Sequence, residues 1–152
     1  MSIKNSILNL VLIVDDEPMA RTLLRLMLVR AGFDVLEAED GQEALDKMKE
    51  ELPDVVILDV MMPGMNGFAV CAEMAKVDRL ATIPVMMLSA KTDIQSRKEG
   101  LSSGATRYLT KPIAPDVLTQ HVHEILAELE EGSLRLEGAP HPDSSNNQPS
   151  ID

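Results

Sequence analysis

Short apolar runs alternate along the chain with longer amphipathic segments. Two of the runs, Leu10–Val14 and Val55–Asp59, are apolar up to the carboxylate that ends or follows them. Continuous runs rich in β-branched residues are typical of strands buried on both faces of a parallel sheet. The pattern adds three further strands, over Asp34–Ala38, residues 83–89 and Arg107–Thr110.

Each predicted strand is followed by residues with helical periodicity. After the first strand, Met19, Leu23 and Leu26 recur at the spacing of one helix face. Pro18 suits the first turn of this helix, and Gly32 ends it. Because the same alternation occurs five times, the sequence predicts an α/β fold with a parallel sheet and helices on both faces.

The composition is typical of one globular domain with a tail. The chain has 152 residues, of which 45% are hydrophobic and 2% aromatic. We expect an N-terminal extension over residues 1–9 and a folded domain over residues 10–131. Gly, Pro, Ser and Asn replace the apolar periodicity in residues 132–152, which predicts a disordered tail or linker there.

Charge and residue usage argue against several classes of protein. A net charge of -11, no Trp and one Tyr make direct nucleic-acid binding unfavourable. The only cysteine, Cys71, excludes an intrachain disulfide and fits a reducing, cytoplasmic setting. The N-terminal apolar run is interrupted by Asn9 and followed by acids, so it predicts neither a signal peptide nor a membrane span.

Polar residues follow the predicted strands at the points where they end. The first strand leads into Asp15 and Asp16, the third ends on Asp59, the fourth on Ser89, and the fifth leads into Lys111. The carboxyl ends of parallel strands meet at one edge of a sheet, where ligands bind. Three carboxylates crowded there raise one another's pKa, and a divalent cation relieves the repulsion. Oxygen ligands of this kind favour Mg²⁺.

A metal at this edge predicts phosphoryl chemistry. Asp59 is then placed as a nucleophile that forms an acyl phosphate. Lys111 can hold phosphoryl oxygens, and Ser89 can donate a hydrogen bond to one of them.

These residues lie in four motifs that resemble the receiver domain of two-component response regulators, of the chemotaxis-regulator type, standing alone or excised from a longer protein. The resemblance covers residues 10–129 and implies a flavodoxin-like, doubly wound five-stranded parallel sheet of order 2-1-3-4-5 with five helices. The motifs are VDDE at residues 14–17, LDVMMPGMNG at 58–67, SA at 89–90 and GATRYLTKP at 104–112.

The resemblance also implies a role for each matched position. Asp59 is the expected phosphoacceptor. The expected Mg²⁺ site comprises Asp59, Asp16 as a direct ligand, Asp15 acting through water, and the backbone carbonyl of Met61. The expected phosphate-binding and switch residues are Ser89, Lys111 and the rotating aromatic Tyr108. Met61 and Lys91 fall where the family tunes the lifetime of the acyl phosphate.

The implied function is phosphorelay signalling and not enzymatic turnover. A sensor histidine kinase or a phosphotransfer protein donates the phosphoryl group. The response then changes the face made by the fourth helix, fifth strand and fifth helix, which contacts a downstream protein in a monomer or a phosphorylation-dependent dimer. Thr106 and Arg107 stand where many relatives carry two acids, so we expect a less acidic face and a different partner.

Three alternatives remain at this point. A phosphatase of the haloacid-dehalogenase type also uses a strand-end Asp with Mg²⁺, but it needs a second Asp where this chain has Met61. A pseudo-receiver would bind partners without phosphorylation, although the acceptor residues are all present. The chain can also be a receiver fragment of a larger regulator with an output domain.

Overall fold

The computed structural model of the chain describes residues 8–90 and 93–138. Five parallel strands form one sheet in the order β2-β1-β3-β4-β5. This is the predicted flavodoxin-like order, so the fold class is confirmed. The strands are β1 Leu10–Val14, β2 Asp34–Ala38, β3 Val55–Asp59, β4 Val85–Ser89 and β5 Arg107–Thr110.

Six helices lie among the described residues, one more than predicted. The additional helix has four residues and is separated from the third helix by two residues. Side chains cap several helices as their sequences suggest: Asp40 accepts from the Glu43 amide, and Asp93 accepts from the Ser96 amide. The helices are α1 Pro18–Arg30, α2 Gly41–Glu50, α3 Gly67–Ala75, α4 Asp78–Ala81, α5 Ile94–Ser102 and α6 Pro115–Gly138.

The last helix runs past the predicted start of the tail. α6 continues to Gly138, so the prediction of a disordered segment from residue 132 was wrong for residues 132–138. Composition misled here because the change to Gly and Ser begins at Gly132, yet a single Gly costs only about 1 kcal/mol inside a helix. The rest of the predicted tail, residues 139–152, lies outside the described residues, as do residues 1–7 and Lys91.

The core forms two layers because alternate strand residues face opposite sides of the sheet. On one side, Val11 and Ile13 pack with side chains of α1 and α6, including Leu28 and Val122. On the other side, Leu12 and Val14 pack with α2, α3 and α4. β1, β3 and β4 are buried along their whole length, which explains their unbroken apolar sequences. None of the helices in the described part of the chain has the length and apolar character needed to cross a membrane.

The junction between β3 and α3 brings a helix start directly against a strand end. The Gly67 amide donates to the Val60 carbonyl at 3.0 Å. A Cβ on Gly67 would lie 2.8 Å from the Asp59 carbonyl oxygen and 3.0 Å from the Val60 Cα. Both atoms belong to the backbone, so neither can move without shifting the end of β3. Gly67 is therefore required for the close approach that sets the position of Asp59.

We expect Gly67→Ala to destabilise the protein by about 1–3 kcal/mol, since the added methyl group overpacks backbone atoms. The measurement is the free energy of unfolding in urea. Gly132→Ala is the matched control, because nothing lies within 4 Å of its Cβ position in α6. That variant should be neutral or more stable by up to about 1 kcal/mol. Equal effects of the two substitutions would contradict the packing argument.

Candidate functional site

The predicted site residues meet at the carboxyl edge of the sheet. Asp15 directly follows β1, and Asp59 ends the neighbouring β3. Lys111 directly follows β5 at the edge of the sheet, and its backbone amide donates to the Ser89 carbonyl at 2.9 Å. Its side chain reaches past the end of β4. The peptide bond between Lys111 and Pro112 is cis.

Lys111 bridges two buried carboxylates. Its Nζ lies 3.0 Å from Asp15 Oδ2 and 3.4 Å from Asp59 Oδ1. The Asp15 side chain is only 1% exposed, whereas that of Lys111 is 27% exposed. One cation thus faces two carboxylates while remaining in contact with solvent.

Backbone contacts fix the Asp15 carboxylate. The Glu17 amide donates to Asp15 Oδ1 at 2.9 Å, and the Asp15 amide donates to the Ala38 carbonyl at 3.1 Å. Arg21 of α1 donates to the Asp15 carbonyl at 2.8 Å. Asp16, next in the chain, is exposed at the mouth of the site. The acidic pair therefore offers one immobilised and one accessible carboxylate.

Three carboxylates can hold a metal ion here. Asp15, Asp16 and Asp59 each offer one oxygen, and these oxygens all lie within 4.8 Å of one another. An all-oxygen set with one exposed member suits a hard divalent cation that keeps several waters, as Mg²⁺ does. The Met61 amide lies 3.4 Å from Asp59 Oδ1, and the Met61 side chain lies outside the core, 56% exposed.

The charges of the site are coupled. Burial raises the pKa of Asp59, and the neighbouring Asp15 carboxylate raises it further, while Lys111 opposes both effects. Burial alone would lower the pKa of Lys111, but its hydrogen bond to Asp15 and the charges of both carboxylates raise it overall. The ammonium therefore stays protonated, and one positive charge incompletely compensates the carboxylates. A site with uncompensated negative charge fits a divalent cation.

The two predicted switch residues lie differently with respect to this edge. Ser89 is fully buried at the end of β4, beside Thr110 in the register of β5, and joins the site through the Lys111 amide. Tyr108 lies further back on β5, opposite Met87, and its side chain is part of the core under α5. The structure thus brings Ser89 to the edge and places Tyr108 behind it.

Some contacts near the site were missed by sequence reasoning. Arg97 and Gly100 of α5 both touch Tyr108. The signal for Gly100 was available, since a Gly inside a helix is atypical and often marks a close approach. Arg107 donates to Glu124 at 2.8 Å and to Glu128 at 2.6 Å, so its charge is paired with α6.

Known proteins share this fold and these motifs. A profile of the response regulator receiver domain family matches residues 11–123. The chain is 41% identical over 120 residues to the alkaline phosphatase synthesis transcriptional regulatory protein PhoP of Bacillus subtilis, covering 79% of this chain and 49% of that protein. It is 39% identical to the DNA-binding dual master transcriptional regulator RpaA of Synechocystis, covering 76% of this chain and 48% of that protein.

The chain therefore spans about half the length of these curated relatives. Among solved structures, the chemotaxis protein CheY4 of Vibrio cholerae superposes with a TM-score of 0.75 at 35% identity, covering 78% of this chain and 99% of that one. The sheet order, the acidic edge and these matches agree: the chain belongs to the response regulator receiver domain family of two-component signalling.

Proposed function

We propose that this domain accepts a phosphoryl group on Asp59 from a sensor histidine kinase or a phosphotransfer protein, in a Mg²⁺-dependent reaction, and so switches contacts with a partner protein. The observation that carries the proposal is the bridge that Lys111 Nζ makes between Asp15 and Asp59. A cation held beside a strand-end carboxylate is what an incoming phosphoryl group needs, because charge accumulates on its oxygens.

In the proposed reaction an Asp59 carboxylate oxygen bonds to phosphorus while the phosphorus–nitrogen bond of the donor phosphohistidine breaks. The electron pair of that bond leaves with the histidine nitrogen. Asp59 attacks as the carboxylate, and Lys111 favours that form by opposing the pKa increase that burial causes. The Lys111 ammonium then pairs with a phosphoryl oxygen, and the Ser89 hydroxyl donates to another.

The metal of this proposal is Mg²⁺, which members of the family generally bind in an acidic pocket. Asp15, Asp16 and Asp59 would hold it, together with the Met61 backbone carbonyl. When bound, Mg²⁺ supplies positive charge that offsets the negative charge of carboxylates and phosphoryl oxygens. Asp15 is already immobilised by the Glu17 amide, so the chain contributes a preorganised ligand.

The response in this proposal reaches the face made by α5, β5 and α6. Ser89 and Lys111 connect the site to the ends of β4 and β5, and Arg107 connects β5 to α6. Since Arg107 is paired with both Glu124 and Glu128, the face presents an ion-pair cluster with excess negative charge at this point and not a free cation. A partner protein would therefore recognise the relative positions of α5, β5 and α6 more than the charge of Arg107.

The family assignment and the site argue against a haloacid-dehalogenase phosphatase. Such an enzyme needs a general acid two residues after its nucleophile, and the side chain there is that of Met61, a thioether that cannot donate a proton. We propose that the chain is not an enzyme in its own right.

A second candidate function follows from the length of the relatives. Because the chain spans about half of regulators named as transcriptional, we propose as an alternative that it is the receiver part of a longer regulator whose output part binds DNA. The receiver itself, with the chain's net charge of -11, would then make no direct nucleic-acid contact. In either case we propose a cytoplasmic protein, as monomer or phosphorylation-dependent dimer.

Incubation with acetyl phosphate and Mg²⁺ should add the mass of one phosphoryl group to the chain, as measured by intact mass spectrometry. The added mass should disappear in Asp59→Asn and when EDTA replaces Mg²⁺. Asp46→Asn removes an exposed carboxylate of α2 and serves as the control that still accepts the group. Persistence of the added mass in Asp59→Asn would overturn the acceptor assignment.

Asp59→Asn should also stabilise the metal-free protein at neutral pH. Burial raises the Asp59 pKa in the folded state, so the folded protein favours the protonated carboxyl, and this contribution is lost as pH rises through the folded-state pKa. The stability gain of the variant should therefore be largest near neutral pH and vanish in acid. Thermal unfolding in EDTA across pH checks this, with Asp46→Asn, which changes an exposed carboxylate of α2, as the control. A variant that is less stable at neutral pH would contradict the charge argument.

The acyl phosphate should decay slowly in this chain and faster in Met61→Asn and Lys91→Glu. Met61, whose backbone amide lies 3.4 Å from Asp59 Oδ1, carries a bulky apolar side chain at a position where an amide side chain could instead orient a hydrolytic water. Decay of the Asp59 phosphate is followed by phosphate release after removal of the donor. Unchanged decay in both variants would remove the idea that these positions set the lifetime.

A further inference from the structure

Two arginines of α1, one turn apart, share the carboxylate of Glu37 on β2. Arg21 Nε lies 3.1 Å from Glu37 Oε1, and Arg25 Nε lies 3.1 Å from Glu37 Oε2. The backbone carbonyl of Glu37 accepts a hydrogen bond from Lys47 Nζ of α2. Because its backbone and both of its carboxylate oxygens are engaged, Glu37 is a fixed point next to the end of β1.

Of these two arginines, Arg21 also contacts the acidic edge of the sheet. Its NH1 donates to the Asp15 carbonyl at 2.8 Å while its Nε pairs with Glu37. A planar guanidinium makes two such bonds in a fixed relative geometry. The Arg21 side chain is 17% exposed, whereas that of Arg25 is 49% exposed and makes no contact with Asp15 in the described part of the chain. One side chain therefore joins α1, β2 and the end of β1.

The carbonyl that Arg21 holds belongs to the peptide that joins Asp15 to Asp16. The rest of Asp15 is held as well, since its amide donates to the Ala38 carbonyl and its carboxylate accepts from the Glu17 amide. The Asp16 side chain, in contrast, is exposed and forms no hydrogen bond or ion pair with residues 8–90 or 93–138. Its direction thus depends on the peptide from which it extends.

We propose that Arg21 is a positioning residue for the divalent-cation site. It orients the peptide between Asp15 and Asp16 so that both carboxylates can bind Mg²⁺, and Glu37 fixes the guanidinium that does so. The inference rests on the Mg²⁺ site of the proposed function. Loss of a group that orients metal ligands typically weakens metal affinity by about 10–100-fold. Charge alone predicts the opposite change, because a guanidinium near the carboxylates repels a second cation.

A titration of the full-length, ¹⁵N-labelled chain with MgCl₂ tests the proposal at constant ionic strength. The amide resonances of Asp16 and Glu17 report the dissociation constant, and the dispersion of all amide resonances reports that each variant is folded. We expect Arg21→Ala to weaken Mg²⁺ binding about tenfold, the lower end of the range for such groups, because the ligands themselves remain.

Arg25→Ala is the matched control. It removes the same charge from the same helix and the same Glu37 carboxylate, but it leaves the bond to the Asp15 carbonyl in place. We expect its Mg²⁺ affinity to equal that of the wild type or to be slightly higher. The difference between Arg21→Ala and Arg25→Ala therefore isolates the orienting contact from the effect of charge.

Two further variants test the geometry. Arg21→Lys keeps the charge but loses the planar fork, so it should restore Mg²⁺ affinity only in part. It also decides the outcome if Arg21→Ala does not fold. Glu37→Gln should weaken Mg²⁺ binding in the wild-type chain and have a smaller effect in Arg21→Ala, since the two residues act through one contact.

The kinetics of phosphorylation by acetyl phosphate provide a second readout. In Arg21→Ala the Mg²⁺ concentration that gives half of the maximal rate should rise by the same factor as the dissociation constant. The rate at saturating Mg²⁺ should stay that of the wild type, because the variant loses binding and not chemistry. A general structural defect would lower the saturated rate as well.

Two results would overturn the proposal. The first is a Mg²⁺ affinity of Arg21→Ala equal to or higher than that of the wild type, which would leave only the effect of charge. The second is an equal loss of affinity in Arg21→Ala and Arg25→Ala. Absence of Mg²⁺-induced shifts in the wild type would contradict both this inference and the metal site of the proposed function. Mg²⁺ binding without uptake of a phosphoryl group on Asp59 would contradict the acceptor assignment alone.

Discussion

The pairing of Lys111 with two carboxylates is the interaction on which the arrangement of the site depends. Asp15 follows β1 and Asp59 ends the neighbouring β3, and each is almost fully shielded from water. Two buried carboxylates repel each other, and leaving one of them unpaired would be costly. Lys111 Nζ lies within 3.4 Å of both, so one ammonium permits the carboxyl ends of β1 and β3 to remain side by side. The Lys111 ammonium thus stabilises the packing of two strand ends and is at the same time part of the candidate site.

One ammonium does not fully compensate the charge of two carboxylates, and the excess negative charge is useful to the proposed chemistry. Burial keeps the Asp59 pKa raised even with Lys111 present, which means that the ionised Asp59 carboxylate is held at a cost to the folded state. A protein selected for stability alone would place an amide there. Strain of this kind is typical of functional sites, where stability is exchanged for reactivity or ligand affinity. At Asp59, therefore, the stability of the folded state conflicts with the charged carboxylate that the proposed chemistry needs.

The sequence predicted what depends on local pattern and on chain order. Apolar runs predicted β1, β3 and β4, and the polar residues at or just after the strand ends predicted Asp15, Asp59 and Lys111, because parallel topology brings strand ends together. It missed α4, whose four residues are too few for a periodic signal. It also missed the contact between Arg97 and Tyr108, since a side chain on a helix and one on a strand meet only through tertiary packing.

β5 connects the site to the neighbouring helices α5 and α6 through hydrogen bonds of its own residues. Successive strand residues face opposite sides of the sheet, so Arg107 bonds to α6 while Tyr108 packs under α5. Lys111, which follows directly after the strand, reaches Asp15 and Asp59 and is tied to Ser89 through its amide. Five consecutive positions thus join two helices to the acidic edge. The Lys111 ammonium thus lies one residue beyond a strand that Arg107 ties to α6 and that Arg97 ties to α5.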